Sequence, residues 1–194
     1  MDHRQKHIEL FNRIAAPYRW FFNGQIRSYA RCFDLGRSYL GNPEGKRALD
    51  LGCGTGAFTA ALRAEGWDAE GIDGAHAMVA QAGKSGLRCS VSDVLRGLEI
   101  PDNSYDLVTA AYVAHGLRRP DRRILFQEAK RISRDRVLFH DYSEHRRILT
   151  SIIEYLEGGD YFNFIKTVRQ ELAEVFSEIE VVSVGPQSAW YICR

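Results

Sequence analysis

The chain has few of the features that announce an extracellular, metal-binding or membrane protein. Four cysteines (Cys32, Cys53, Cys89, Cys193) are spread over 194 residues. They form no C-x-x-C pair and have no histidine at ligand spacing, which argues against structural zinc and against a disulfide framework. No run of about 18 apolar residues exists, so no transmembrane helix is expected. The first seven residues, Met1 to His7, are polar and lack the apolar core of a signal peptide. These absences lead us to expect a cytoplasmic protein with reduced, mostly buried thiols. Charge of one sign is also missing. Twenty-six Lys and Arg face 25 Asp and Glu, for a net charge of +1. That balance gives no electrostatic footprint for nucleic acid or an acidic membrane. The local basic groups, Arg118-Arg119 with Arg122-Arg123 and His145-Arg146-Arg147, read as solvated helix faces. There is no internal repeat and no low-complexity tract. A length of 194 residues fits one domain with a full core.

Glycine, in contrast, is concentrated where it matters. Ala48-Leu49-Asp50-Leu51-Gly52-Cys53-Gly54-Thr55-Gly56-Ala57-Phe58 reads as a buried strand, a turn with three alternate glycines, and the start of a helix. Residues without Cβ let the backbone turn sharply and let a ligand lie against it. The N–H groups that open the helix favour an anionic or hydrogen-bonding ligand. The spacing is G-x-G-x-G, whereas nicotinamide and flavin sites carry G-x-G-x-x-G.

The remaining pattern is an alternation of strand and helix. Residues 3–40 read as helical, interrupted at Pro17 and followed by a loop at 41–45. Strands are predicted at 47–51, 69–73, 87–92, 105–111 and 136–140, with helices near 57–65, 75–84 and 121–132. One or two helices should fill 143–176. Segments 179–184 and 189–193 flank a short Gly185-Pro186 turn and must pair antiparallel. Alternation of this kind implies an α/β fold with a mostly parallel sheet and helices on both faces.

Two acids follow the glycines at strand ends. Asp73 lies 21 positions after Gly52, where dinucleotide folds place the carboxylate that accepts bonds from ribose hydroxyls. Asp93 ends the third strand. Either acid could instead cap the helix that follows it.

The frame Leu49-Asp50-Leu51-Gly52-Cys53-Gly54-Thr55-Gly56 resembles the first motif of class I S-adenosylmethionine-dependent methyltransferases. The resemblance implies a seven-stranded Rossmann-like sheet ending in an antiparallel hairpin, in a single domain over 1–194. Helices in 1–45 would form a lid or cap. Residues 46–194 would form the cofactor core, with an acceptor-side insertion at about 143–177. It also implies a cofactor, S-adenosylmethionine, with S-adenosylhomocysteine as product. The cofactor would be held by Asp50, Leu51, Gly52, Cys53, Gly54 and Gly56 of the turn and by Asp73 and Gly74 at the ribose. Ser92, Asp93 and Val94 would hold the adenine, with Ala110 and Ala111 beside the methionine part. Phe11 to Tyr18 is loosely similar to a Phe-x-x-Ile-Ala-x-x-Tyr segment of the quinone-methylating subgroup, which implies that Tyr18 and its aromatic neighbours cover the site.

Methyl transfer from a sulfonium chiefly requires alignment of donor and acceptor. A general base is needed only when the acceptor atom carries a proton. His115, just past strand four, and His140, in the run His140-Asp141-Tyr142, are the candidates at the sheet's carboxyl edge. If the run is extended, His140 and Tyr142 share one face and Asp141 takes the other. Asp106, early in strand four, reads as structural. The chain departs from the resembling family in two places. Ser133-Arg134-Asp135-Arg136 stands where many relatives have a Pro-Gly-Gly turn. The Asn/Asp-Pro-Pro-aromatic motif of base-amine methyltransferases is replaced by Ala110-Ala111-Tyr112. A small-molecule acceptor is therefore expected as partner, with no nucleic acid, no membrane span and a homodimer as the assembly to test. A binding module that holds the cofactor without catalysis is the alternative.

Overall fold

The computed structural model describes residues 3–143 and 160–194, with backbone alone at 3–7, Ala16, Tyr18 and Arg19. Seven strands form one sheet: β1 (Arg47–Leu51), β2 (Asp68–Asp73), β3 (Cys89–Val91), β4 (Tyr105–Ala111), β5 (Ser133–Tyr142), β6 (Ile179–Ser183) and β7 (Ser188–Cys193). Their order is β3-β2-β1-β4-β5-β7-β6. Strands β1 to β5 pair in parallel, and β7 runs antiparallel to both β5 and β6. The described helices are α1 (His3–Tyr18), α2 (Phe22–Gly36), α3 (Ala57–Ala64), α4 (His76–Lys84), α5 (Arg119–Ile132) and α6 (Tyr161–Ala173).

The expected α/β architecture with a terminal antiparallel hairpin is what forms. Central strands are buried on both faces and mostly apolar in their middles, the usual reason a parallel strand lacks alternation. Leu49, Leu51, Val108, Val137 and Phe139 pack against α5 and α6. Ala48, Leu107 and Leu138 point the other way, into a cluster with Phe33 of α2, Phe58 of α3 and Trp190 of β7. Gly36 is required where α2 meets the sheet, because a Cβ there would run into the Trp190 ring.

Two boundaries differ from expectation. Strand β3 is only three residues long, an edge strand paired on one side. Strand β5 is ten residues long because it pairs β4 on one edge and β7 on the other. Ser133 ends α5 and begins β5 directly. The chain therefore needs no Pro-Gly-Gly turn there. Asp106 is structural as expected, its carboxylate accepting the Arg47 N–H at 2.9 Å.

One expectation about charge is corrected. Arg122 is not on a solvated face but is 1% exposed. Its guanidinium donates to both Glu171 oxygens at 2.8 Å, to Asp160 at 2.9 Å and to the Leu117 carbonyl. It ties α5 to α6. His145 to Arg147, and Tyr155 of the expected acceptor insertion, lie outside the described residues. Tyr161 and Phe164 of that insertion are core residues.

Candidate active site

Strand order reverses between β1 and β4, each followed by a connection to opposite sides, and ligands of open α/β sheets bind at such a crevice. A cavity of about 510 Å³ opens there. Its volume falls within the roughly 300–1,000 Å³ of small-molecule sites.

The glycine turn forms the floor. Gly52, Gly54 and Gly56 all have left-handed φ, at +71°, +54° and +84°, a region costly for residues with a Cβ. A Cβ on Gly52 would sit 2.6 Å from Val113, whereas one on Gly54 would meet nothing within 4 Å. The space over Gly54 is cavity, and a bound molecule reaches bare backbone there. The N–H groups of Gly52 and Cys53 donate to the Ile72 carbonyl at 2.8 and 2.9 Å, which pins the turn to β2.

Asp73 reaches across from β2. Its carboxylate accepts the Gly54 N–H at 2.8 Å and the Ala75 N–H at 2.7 Å. Each carboxylate oxygen carries a second lone pair, so ligand hydroxyls can be added to these bonds. Burial pushes the Asp73 pKa up from the usual carboxylate range, while the two N–H donors pull it back. Asp93 caps the turn after β3, accepting the Leu95 N–H at 3.0 Å, and also faces the cavity with Ser92 and Val94. Asp93 therefore caps the turn that follows it, whereas Asp73 bonds the Ala75 N–H ahead of α4 without being its N-cap; both keep acceptor capacity toward the cavity.

Asp50 is fully buried beneath the turn. It accepts the hydroxyls of Thr59 at 2.7 Å and Thr109 at 3.0 Å. Burial pushes its pKa up to about 7, against the lowering effect of those two bonds. Cys53, Gly74 and Ala111 also line the cavity, but Leu51, Gly56 and Ala110 do not. The side chains of Leu51 and Ala110 belong to the core on the α5 and α6 side, and Gly56 abuts Leu87.

At the carboxyl ends of β4 and β5 the lining is aromatic: Tyr112 and Tyr142 stand beside His115, and Tyr29 and Phe58 also line the cavity. Tyr112 has φ of +55°, a strained conformation for a bulky residue and the kind found at functional sites. It is held by its N–H bond to the His140 carbonyl at 2.7 Å. The His115 Nδ1 lies 2.8 Å from Asp141 Oδ1, and the His115 backbone N–H donates to Oδ2 of the same carboxylate at 3.3 Å. Asp141 is fully buried and also accepts the Tyr142 N–H at 2.8 Å.

His140 is corrected by the structure. It alternates to the opposite face of β5, is 1% exposed, and packs between Tyr29 and Phe58. Its Nδ1 accepts the Trp190 indole N–H at 2.8 Å. Burial lowers its pKa to about 4, partly offset by Asp141. It is a neutral core residue, outside the cavity lining. Sequence reasoning chose between the faces of β5 without knowing which one borders the β4 loop, and so passed over Asp141.

The Tyr18 side chain lies outside the described residues, and its neighbour Trp20 is 86% exposed. Among the described residues the cavity is walled by Ile8 and Phe11 of α1 and by Gln25, Ser28 and Tyr29 of α2. The amide oxygen of Gln25 is buried with no protein partner. The 3.6-residue period of α2 contained that face, since Gln25, Ser28 and Tyr29 are spaced i, i+3, i+4.

The floor and the two acids fit an adenosyl cofactor: open backbone over Gly54, carboxylates at the ends of β2 and β3, and aromatic side chains elsewhere in the lining. Among the described residues no group of three or more His, Cys, Asp or Glu could hold a metal ion, and no helix is long and apolar enough to cross a membrane.

Comparison with known proteins agrees. Residues 48–136 match the model of a methyltransferase domain family. No curated protein matches the sequence. Among solved structures, DhpI in complex with SAM and HEP is similar at 22% identity and a TM-score of 0.72, covering 100% of this chain and 99% of that one. A SAM-dependent methyltransferase of Thermotoga maritima, described as a possible histamine N-methyltransferase, is 16% identical with a TM-score of 0.71, covering 96% and 98%. A SAM-dependent methyltransferase of Aquifex aeolicus is 23% identical with a TM-score of 0.63, covering 81% and 86%. At these identities the structural neighbours speak for the fold. The glycine turn, the sheet order and the match over residues 48–136 agree: that segment matches a methyltransferase domain, and the whole chain has the fold of S-adenosylmethionine-dependent methyltransferases.

Proposed function

We propose that the protein transfers a methyl group to a small-molecule acceptor bound at the aromatic end of the cavity. The observation that carries this reading is a single cavity lined both by glycine backbone with the carboxylates of Asp73 and Asp93 and by His115, Tyr29, Tyr112 and Tyr142. Helices α1 and α2 contribute walls to this cavity, which favours an acceptor small enough to be enclosed. The fold and the match to a methyltransferase domain leave the acceptor open, and the walled cavity is what supports a small one.

S-adenosylmethionine, when bound, supplies an electrophilic methyl group on a positively charged sulfur. The protein's residues do the rest by holding and aligning. Asp73 accepts the ribose hydroxyls while staying bonded to Gly54 and Ala75. Asp93 and the Val94 N–H meet the adenine. The turn of Gly52, Cys53 and Gly54 supports the methionine part, and Ala111 leaves room for the acceptor to approach. Alignment of this kind accounts for a large share of the barrier in transfers between two bound groups. A cytoplasmic location and a homodimer are parts of the same proposal.

The test is calorimetric titration with S-adenosylmethionine, S-adenosylhomocysteine and NAD. Both adenosyl ligands should bind and NAD should not. Asp73→Ala should weaken the adenosyl ligands by about 2–4 kcal/mol, the value of lost charge-assisted bonds. Unchanged affinity in that variant would remove Asp73 from the ribose site.

A further inference from the structure

We infer that Cys53 and Cys89 are an oxidative modification site, a thiol pair that hydrogen peroxide closes into a disulfide, drawing the glycine turn out of its ligand-binding shape. The inference rests on the proposed function and adds a regulation of its cofactor turn.

Gly71 sets the geometry. It is paired in register with Cys89 in the parallel β2–β3 ladder, so the two residues present the same face of the sheet on strands about 4.8 Å apart. Cys53 fills the space that Gly71 leaves. A Cβ on Gly71 would meet Cys53 Cβ at 2.6 Å and its Sγ at 2.7 Å, with the Thr59 hydroxyl at 3.0 Å. The Cys53 side chain therefore lies over β2 and borders Cys89 on the next strand, and its thiol donates to the Cys89 sulfur. That bond lowers the Cys89 pKa from its ordinary value, against the opposing effect of burial. The two thiols also differ in access. Cys53 is buried and lines the cavity floor. Cys89 is half-buried on the edge strand β3, and a partly exposed thiol with a lowered pKa is the one that reacts. Cys32 and Cys193 belong to the two large core clusters and serve as inert controls.

The Cys89 thiolate attacks one peroxide oxygen. The O–O bond breaks and an S–O bond forms, giving a sulfenic acid. The hydroxide that leaves takes up the proton Cys89 had released and becomes water. The Cys53 sulfur then attacks Cys89 Sγ. The S–S bond forms as the S–O bond breaks, and the departing hydroxide takes the Cys53 proton as a second water. Two thiols give up two electrons and one peroxide accepts them. A bond holds two sulfurs closer than a thiol contact does, so closure pulls Cys53 toward β3. Gly54, the next residue, offers bare backbone to the cavity and donates its N–H to Asp73. A displaced turn weakens both features.

The experiment treats the full-length reduced protein with hydrogen peroxide and then caps free thiols with N-ethylmaleimide. Mass spectrometry of the digest should show Cys53 joined to Cys89, with Cys32 and Cys193 still thiols. In calorimetry the oxidised protein should bind S-adenosylhomocysteine roughly 5–150-fold more weakly, the usual span of coupling between linked events, and dithiothreitol should restore the affinity. Linkage requires the reverse effect as well: saturating S-adenosylhomocysteine should shift the equilibrium in a glutathione buffer toward the thiols. Cys89 is outside the cavity lining, so Cys89→Ser and Cys89→Ala should bind the ligand as reduced wild type does and keep that affinity through peroxide treatment. Equal loss in these variants would overturn the pair, because Cys53 would then be oxidised by itself. An absent cross-link, or a cross-link with unchanged affinity, overturns the inference too. Reduced wild type that binds no S-adenosylhomocysteine would overturn the proposed function instead, and the cross-link is then scored by mass alone, so the two failures are distinguishable.

Discussion

Asp50 and His140 are both buried and both displaced from their ordinary pKa, but they act on stability in opposite directions. The folded pKa of Asp50 is raised to about 7 by burial. The folded state therefore holds a proton that the unfolded state has released, and stability falls as pH rises from about 4 to 7. The folded pKa of His140 is lowered to about 4. Here the unfolded state takes up the proton first, and stability falls as pH drops from about 6.5 to 4. The two slopes oppose each other over the same window, so the wild-type profile is expected to be shallow. Single substitutions should expose each one. Asp50→Asn, relative to wild type, should gain about 2–4 kcal/mol in urea denaturation between pH 4 and pH 8. His140→Gln keeps an acceptor for the Trp190 indole and should gain relative stability on acidification from pH 7 to 5. Parallel profiles for variant and wild type would show that the group does not titrate as described. Neither environment was legible in the sequence. Asp50 is named by its place before the glycines, but its threonine partners come from α3 and β4. His140 and Asp141 are adjacent letters, and only the order of strands around β5 says which of them meets His115.

At the level of elements, β2 and the α5–α6 joint carry the site. Gly71 lies in β2 beside the glycine turn, and a Cβ there would come within 2.6 Å of Cys53 Cβ and 2.7 Å of its Sγ. Gly71→Ala should push the turn away from β2. We expect about 1–3 kcal/mol of destabilisation, typical of overpacking, with a matched loss of S-adenosylhomocysteine affinity in calorimetry. A loss of stability with full affinity would separate the turn's position from its packing. Arg122 is the second case. Leaving Glu171 buried without its guanidinium partner should cost roughly 3–5 kcal/mol, read as a lower urea midpoint for Arg122→Met. Helices, strands and the terminal hairpin were readable because period and turn residues are local signals. The length of β5 was not, because its added residues exist through pairing, Ser133 with Tyr105 of β4 and Asp141 and Tyr142 with β7. Arg122 looked solvated because a run of arginines on one helix gives no hint that Asp160 and Glu171 of a later segment will enclose one of them.

Across the whole molecule the packing is uneven, and the unevenness falls on the cover. The sheet is sandwiched between two large clusters. Helix α1 joins the fold through a third, small one, in which Ala15, Ala75 and Met78 are buried and Ile8, Phe11 and Ile14 are half-buried. Only one side-chain bond described between α1 and α4 supports it, from the Ala77 N–H to Asn12 at 2.9 Å. An element with few buried contacts opens at lower free energy than the core it covers. The elbow after it exposes Trp20 at 86% and Phe21 at 64%, so an aromatic-directed protease such as chymotrypsin should cut there first. Ile8 and Phe11 line the cavity, so a ligand that fills it holds α1 closed. If opening must wait for ligand release, S-adenosylhomocysteine at 100 times its dissociation constant adds about 2.7 kcal/mol to the opening, and cleavage should slow by up to roughly 100-fold. The measurement is the half-life of the intact chain with and without ligand. Equal half-lives would mean that α1 opens independently of the cavity, and the cover would then have to be assigned to α2 alone. A slowed cut, followed by loss of affinity in the clipped protein, would make α1 part of the binding site.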